Sequence, residues 1–210
     1  METLAKKIAK SVGESLGKSE EEVAVMAYGL IGILQFSAIF ILSSVIGCIF
    51  GFWLEVVIVF LSVGFLRRLM GGAHSSGLYN CLVYSVLFVC GFSAVAFYVF
   101  PRVPLTACLL LCVAIFLFGY VMIALKAPVT PPNKPCRTEA KRKRLRKGAF
   151  IVLTVFMVLV AISFLLRTVW YRFFTLGMAL SLSCLWQITM MTKFGHLFIS
   201  FIDGMFIKSK

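Results

Sequence analysis

His74 and Cys81 lie seven residues apart in the segment 67–81, RRLMGGAHSSGLYNC, and they are the residue types in this chain best suited to nucleophilic chemistry. A thiol is the strongest ordinary nucleophile once its thiolate is populated. A neighbouring imidazole and nearby cations achieve that by lowering the thiol pKa. Arg67 and Arg68 place fixed positive charge close in sequence. Seven residues on a straight helix are roughly 10 Å apart, too far for contact. Gly71, Gly72 and Gly77 disfavour a straight helix, and a turn with Cys81 opening the next helix would bring sulfur and imidazole within reach. A thiol near a helix N-terminus gains further acidity from the macrodipole. Asn80, beside Cys81, is a candidate for orienting a reacting group or stabilising an oxyanion. Residue types alone leave a second reading open, an interfacial histidine and a packing cysteine. His196, the other histidine, has no thiol near it in sequence and reads as structural.

The seven cysteines (48, 81, 90, 108, 112, 136 and 184) form no CxxC, and most lie inside apolar runs. Free cysteine behaves there as a small hydrophobe. Neither a disulfide framework nor a metal site is indicated, and no cofactor is expected. Cys108 and Cys112 would share a helix face and read as a packing pair.

The elements that must position His74 and Cys81 are membrane helices. Apolar residues make up 61% of the 210-residue chain, charged residues 14%, and mean hydropathy is +1.01. A soluble domain is about half apolar and about a quarter charged, so the excess implies lipid-exposed helices. The net charge of +13 is clumped between apolar runs rather than spread on a face. That is how membrane proteins place loop charge, and it argues against nucleic-acid binding.

Residues 1–22 form a basic amphipathic element, with Leu4, Ile8, Val12 and Leu16 at four-residue spacing between lysines, suited to lying on an anionic membrane surface. No short apolar core with a cleavage site precedes it, so the N-terminus is expected to be retained. Residues 23–210 read as a single polytopic all-α membrane domain. Val23 to Leu66 is long enough for two helices and carries one charge, Glu55. Glu55 is an ionisable residue inside an apolar run, hence a candidate functional group, although a place at the outer turn would put it far from Cys81. Further apolar runs cover 79–100, 104–125, 149–166 and 173–192. The total is about six hydrophobic segments, four to six of them full spans. Alternating segments put the N-terminal lysines, Arg67 and Arg68, the basic loop 126–148 with its nine Lys or Arg, and the C-terminal tail on one side. The positive-inside rule makes that side cytosolic, with both termini inside.

Arg67-Arg68, Gly72-Ala73-His74 and Cys81, with Ala127-Pro128, Asn133-Lys134-Pro135 and the basic run 141–147, resemble the accessory gene regulator B (AgrB) family in motif and order. The likeness covers nearly the whole chain. It implies a cell-membrane cysteine endopeptidase that removes the acidic C-terminal tail of a small quorum-sensing, autoinducing-peptide precursor. The peptide is retained as an acyl-enzyme thioester and released as a macrocyclic thiolactone or lactone. Carried over, Cys81 is the nucleophile and His74 the general base, then acid. Arg67, Arg68, Gly72 and Lys134 are supporting or substrate-binding candidates, and a homodimer is plausible within the family. The loop carries no acid between Pro128 and Asn133, so it offers His74 no carboxylate partner. The basic loop suits the acidic tail and, equally, anionic lipid. The competing reading is a non-enzymatic membrane protein, a transporter subunit or lipid-binding scaffold. It is disfavoured by the scarcity of polar residues in the apolar runs and the lack of an evident repeat.

Overall fold

The computed structural model describes residues 2–72, 77–129 and 138–207, with side chains through Gly204. Eight α-helices make up nearly all of it: α1 (Glu2–Ser15), α2 (Glu20–Ile49), α3 (Trp53–Met70), α4 (Leu78–Ala94), α5 (Leu105–Lys126), α6 (Glu139–Leu165), α7 (Arg172–Thr189) and α8 (Lys193–Ile207). A π-helical turn (Val95–Val99) and a 3-10 turn (Phe100–Arg102) extend α4 up to Pro104.

The amphipathic leader is helical as expected, and its two faces divide the work. Ala5, Ala9 and Gly13 are buried against α2, where a Cβ on Gly13 would sit 2.3 Å from a Val23 methyl. Leu4, Ile8, Val12 and Leu16 face outward, the arrangement an interfacial helix needs to enter lipid. Lys6 donates to Glu2 at 2.9 Å and holds that carboxyl below its usual pKa. Ser19 starts α2 with a capping box, its hydroxyl accepting from Glu22 N–H while the Glu22 carboxylate accepts from Ser19 N–H.

Among the described residues, four helices are long and apolar enough to cross a membrane: Glu20–Ile49, Leu78–Arg102, Leu105–Lys126 and Glu139–Thr168. The pair α7 and α8, bent by 86°, passes the same test only when taken together, as one broken span or a re-entrant loop. The 18-residue α3 carries Glu55, Arg67 and Arg68, yet it packs at the centre of the bundle against α7, burying Val56, Val59, Phe60, Leu66 and Met70. The chain is thus an all-α membrane protein. One difference from the expected organisation lies at residues 139–148. They are not loop but the first turns of α6, continuous with its apolar half. Lysine and arginine are good helix formers, and Glu139 in the first turn complements the helix dipole.

Polar ties pin the two ends of the bundle. At one end Glu55 is fully buried and accepts from Thr175 Oγ1 at 2.6 Å, Arg172 Nη2 at 3.1 Å and Arg172 Nε at 3.3 Å. Arg172 also donates to Gly51 O and lies over the Phe97 ring. Nearby, Tyr98 Oη donates to Phe50 O at 2.6 Å. At the other end Gln187 Nε2 donates to Gly71 O at 2.7 Å and Val129 N–H to Met70 O at 2.8 Å. The helices α2 to α7 therefore alternate end to end.

Arg172→Leu would strand the Glu55 carboxylate in an apolar interior. It is expected to destabilise the detergent-solubilised protein by about 3 kcal/mol, read as a lower thermal unfolding temperature. The double variant Glu55→Leu/Arg172→Leu should recover most of the loss. Wild-type melting of Arg172→Leu alone would show that the pair does not hold α3 to α7.

Candidate functional site

Met70 ends α3 because Gly71 (φ 72°) and Gly72 (φ 129°) follow it in conformations that side chains rarely adopt. Gly71 forms an isolated parallel bridge with Val129, and a Cβ there would lie 1.9 Å from Val129 O. Gly72 backs onto α7, where a Cβ would come within 3.2 Å of Met190 O. Arg146 Nε donates to Ala127 O at 2.9 Å, fastening the start of α6 to the same place. Two stretches far apart in sequence, 70–72 and 127–129, thus meet at one end of the bundle.

Gly77 caps α4, and the first backbone bond of the helix runs from Cys81 N–H to Gly77 O at 2.9 Å. Cys81 therefore stands in the first turn of α4, as the glycine spacing predicts. The N–H groups of Leu78, Tyr79 and Asn80 have no carbonyl one turn earlier within the helix, and they point towards its N-terminal end. Cys81 is half-buried. It lines a cavity of about 60 Å³ with Arg67 from the last turn of α3, and with Tyr84, Phe88 and Trp186. Among the other described cysteines, Cys108, Cys112 and Cys184 are buried, Cys48 lies in the last turn of α2, and Cys90 faces the Ser43 carbonyl.

Of the predicted site residues, the structure sets Arg67 and Cys81 on one cavity, with Asn80 next to Cys81 in α4. Arg68 points to the exposed side of α3. Gly72 is placed by its backbone, one residue past the Gly71–Val129 bridge. His74 and Lys134 lie outside the described residues. Glu55 belongs to the opposite end, in the first turn of α3, roughly 18 Å along the helix from Arg67. His196 is exposed in the first turn of α8. No group of three or more His, Cys, Asp or Glu suited to a metal occurs among the described residues.

Sequence reasoning missed Asp203. It is buried on α8, and its Oδ1 lies 3.5 Å from both Asn80 Nδ2 and Tyr84 Oη, on the turns of α4 that carry Cys81. A signal was available, because Asp203 is the chain's single aspartate and sits inside the apolar run FISFIDGMF.

These features define a multi-pass, all-helical membrane protein with a thiol set at a helix start beside a cavity that runs into the bundle. The chain belongs to the accessory gene regulator B family, whose profile matches residues 2–191. The family is involved in quorum-sensing peptide processing. Two AgrB-like proteins of Clostridium perfringens, from strains SM101 and 13, are 28% and 27% identical over 207 residues, covering 97% of each chain. One of Halalkalibacterium halodurans is 29% identical over 160 residues, 76% of each chain. No solved structure matches this chain. Asp203 lies beyond the stretch matched by the family profile.

Gly71→Ala should force Val129 away and place a side chain at a positive φ. The expected loss is about 1–3 kcal/mol, read as a lowered melting temperature in detergent. Unchanged melting would mean that the 70–72 and 127–129 segments do not meet.

Proposed function

We propose that this protein is a membrane cysteine endopeptidase that cuts the acidic C-terminal tail from a small autoinducing-peptide precursor and closes the remaining peptide into a ring. The observation that carries the reading is Cys81, half-buried in the first turn of α4 and sharing a cavity with Arg67.

The Cys81 thiolate attacks the carbonyl joining the peptide to its tail. The oxyanion that forms is stabilised by the N-terminal N–H groups of α4. The C–N bond then breaks, the departing amine takes a proton from the His74 imidazolium, and the peptide is left as a Cys81 thioester. A thiol or hydroxyl within the peptide, deprotonated by His74, attacks that thioester. The carbon–sulfur bond to Cys81 breaks, Cys81 leaves as thiolate, and the macrocycle is released. Thioester exchange between thiols is nearly balanced in energy, so exclusion of water decides between ring closure and hydrolysis.

The basic run 141–147 at the start of α6 stands at the same end of the bundle as Arg67, since Arg146 holds Ala127 there. Under the positive-inside rule this end, with both termini, faces the cytosol. The run attracts the acidic tail and, between turnovers, anionic lipid headgroups. Asp203, 3.5 Å from both Asn80 and Tyr84, stands against the turns of α4 that carry Cys81.

Co-expression with a precursor peptide tests the reading. Cys81→Ser and, separately, His74→Ala are each expected to abolish cleavage at unchanged membrane levels; processing at the wild-type rate in either would sink the dyad. Iodoacetamide should label Cys81 faster than Cys90 near neutral pH. Reversing charge with Arg142→Glu and Lys143→Glu should slow processing by roughly threefold to tenfold at low salt, and the difference should shrink as salt is added. An effect independent of salt would argue against electrostatic recruitment.

A further inference from the structure

Cys81 heads a stripe. Ser85, Phe88 and Phe92 project from the same face of α4, and the stripe forms one wall of the cavity, running about 16 Å from the thiol towards the middle of the bundle. Val59 and Val63 of α3 form a second wall, and Trp186 of α7 with Ile199 of α8 close the third. The floor is aromatic. Phe88 stacks on Trp186 with ring centroids 3.8 Å apart, and Phe198 meets both edge-on at 5.8 and 6.0 Å.

The polar side chains of the lining are Arg67, Cys81, Tyr84 with its hydroxyl turned to Asp203, and Ser85, and the Trp186 indole adds one N–H. A buried water needs two to four polar partners, which the lower cavity does not offer. Its volume is about 60 Å³.

We propose that this cavity is the acyl subsite, and that it takes the aliphatic side chain of the residue whose carbonyl Cys81 attacks. The proposal rests on the reading of Cys81 as nucleophile and adds the class of residue it accepts. The occupant follows from continuity, because the group that enters a largely apolar cavity lined by the attacking cysteine is the one attached to the attacked carbon. A leucine-sized chain enters it. Glycine leaves it empty, aspartate carries a carboxylate past Arg67 into the apolar depth, and the broad indole of tryptophan meets the stacked Phe88 and Trp186 rings. A filled subsite also keeps water from the thioester.

The test uses the full-length protein in detergent and N-acetyl-aminoacyl chloromethyl ketones carrying leucine, glycine, aspartate or tryptophan side chains. Each forms a carbon–sulfur bond with Cys81 and expels chloride. Adduct formation is followed by mass spectrometry and normalised to iodoacetamide, which has no side chain to place. The leucine probe is expected to modify Cys81 at least about tenfold faster than the other three. Trp186→Ala should raise the tryptophan-to-leucine rate ratio. Val63→Phe, which fills the cavity from α3, should lower the leucine-to-iodoacetamide ratio about tenfold; it reads the same subsite should Trp186→Ala fail to fold. Equal Cys81 rates for all four probes, with Cys81 still outpacing Cys90, would overturn the subsite and leave the nucleophile standing. Failure of every reagent, iodoacetamide included, to favour Cys81 over Cys90 would overturn both.

Discussion

A carboxylate with no exposed surface sits among apolar helices, and Arg172 is what keeps it there. Glu55 accepts from that guanidinium and from Thr175, so all of its close partners are on α7 while it stands on α3. Lipid offers no water to a charge that loses its partner, and separating the two helices at this end would expose both ions to hydrocarbon. Gln187 and Gly71 repeat the tie at the opposite end with neutral groups. Between these fixed points α3 and α7 pack closely, and the other spans are arranged around them.

The location of the candidate site depends on that pairing. With α3 and α7 fixed at both ends, the last turn of α3 delivers Arg67 to one wall of the cavity, and the last turns of α7 deliver Trp186 and Met190 to another. The bend into α8 then carries Ile199 and Asp203 over the start of α4. Cys81 contributes a helix N-terminus and a thiol. The charge at its rim, the cavity walls opposite α4 and the carboxylate beside its helix come from other helices.

Much of this was legible in the chain. Twenty-residue apolar runs broken by charge clusters can fold only as spans, because unpaired backbone polar groups are too costly in hydrocarbon. The glycines at 71, 72 and 77 marked the break between α3 and α4, and the four-residue spacing before Ser19 marked α1. Local patterns misled at α6, where nine basic residues over 126–148 looked like loop; helix propensity does not penalise lysine or arginine, and residues from Glu139 onward are helical. On α1 the obvious stripe of large apolar residues was not the buried face. Small residues face α2 because only they allow the backbones to approach closely.

What the sequence by itself determined was the membrane class, the order of the apolar segments, the end at which positive charge gathers and the thiol at the start of α4; it read Lys193 onward as a tail, where the structure has α8. Each depends on residues within a turn or two of one another, or on the length of an apolar run, so periodicity and composition contain it. The tertiary structure alone decided that 70–72 meets 127–129, that Glu55 is a tie rather than part of the Cys81 site, and that an acid 123 residues from Asn80 lies against it. Those outcomes depend on which helix faces touch. In lipid, that is set by close packing and by the few polar groups that must find partners, neither of which leaves a periodic trace in the chain.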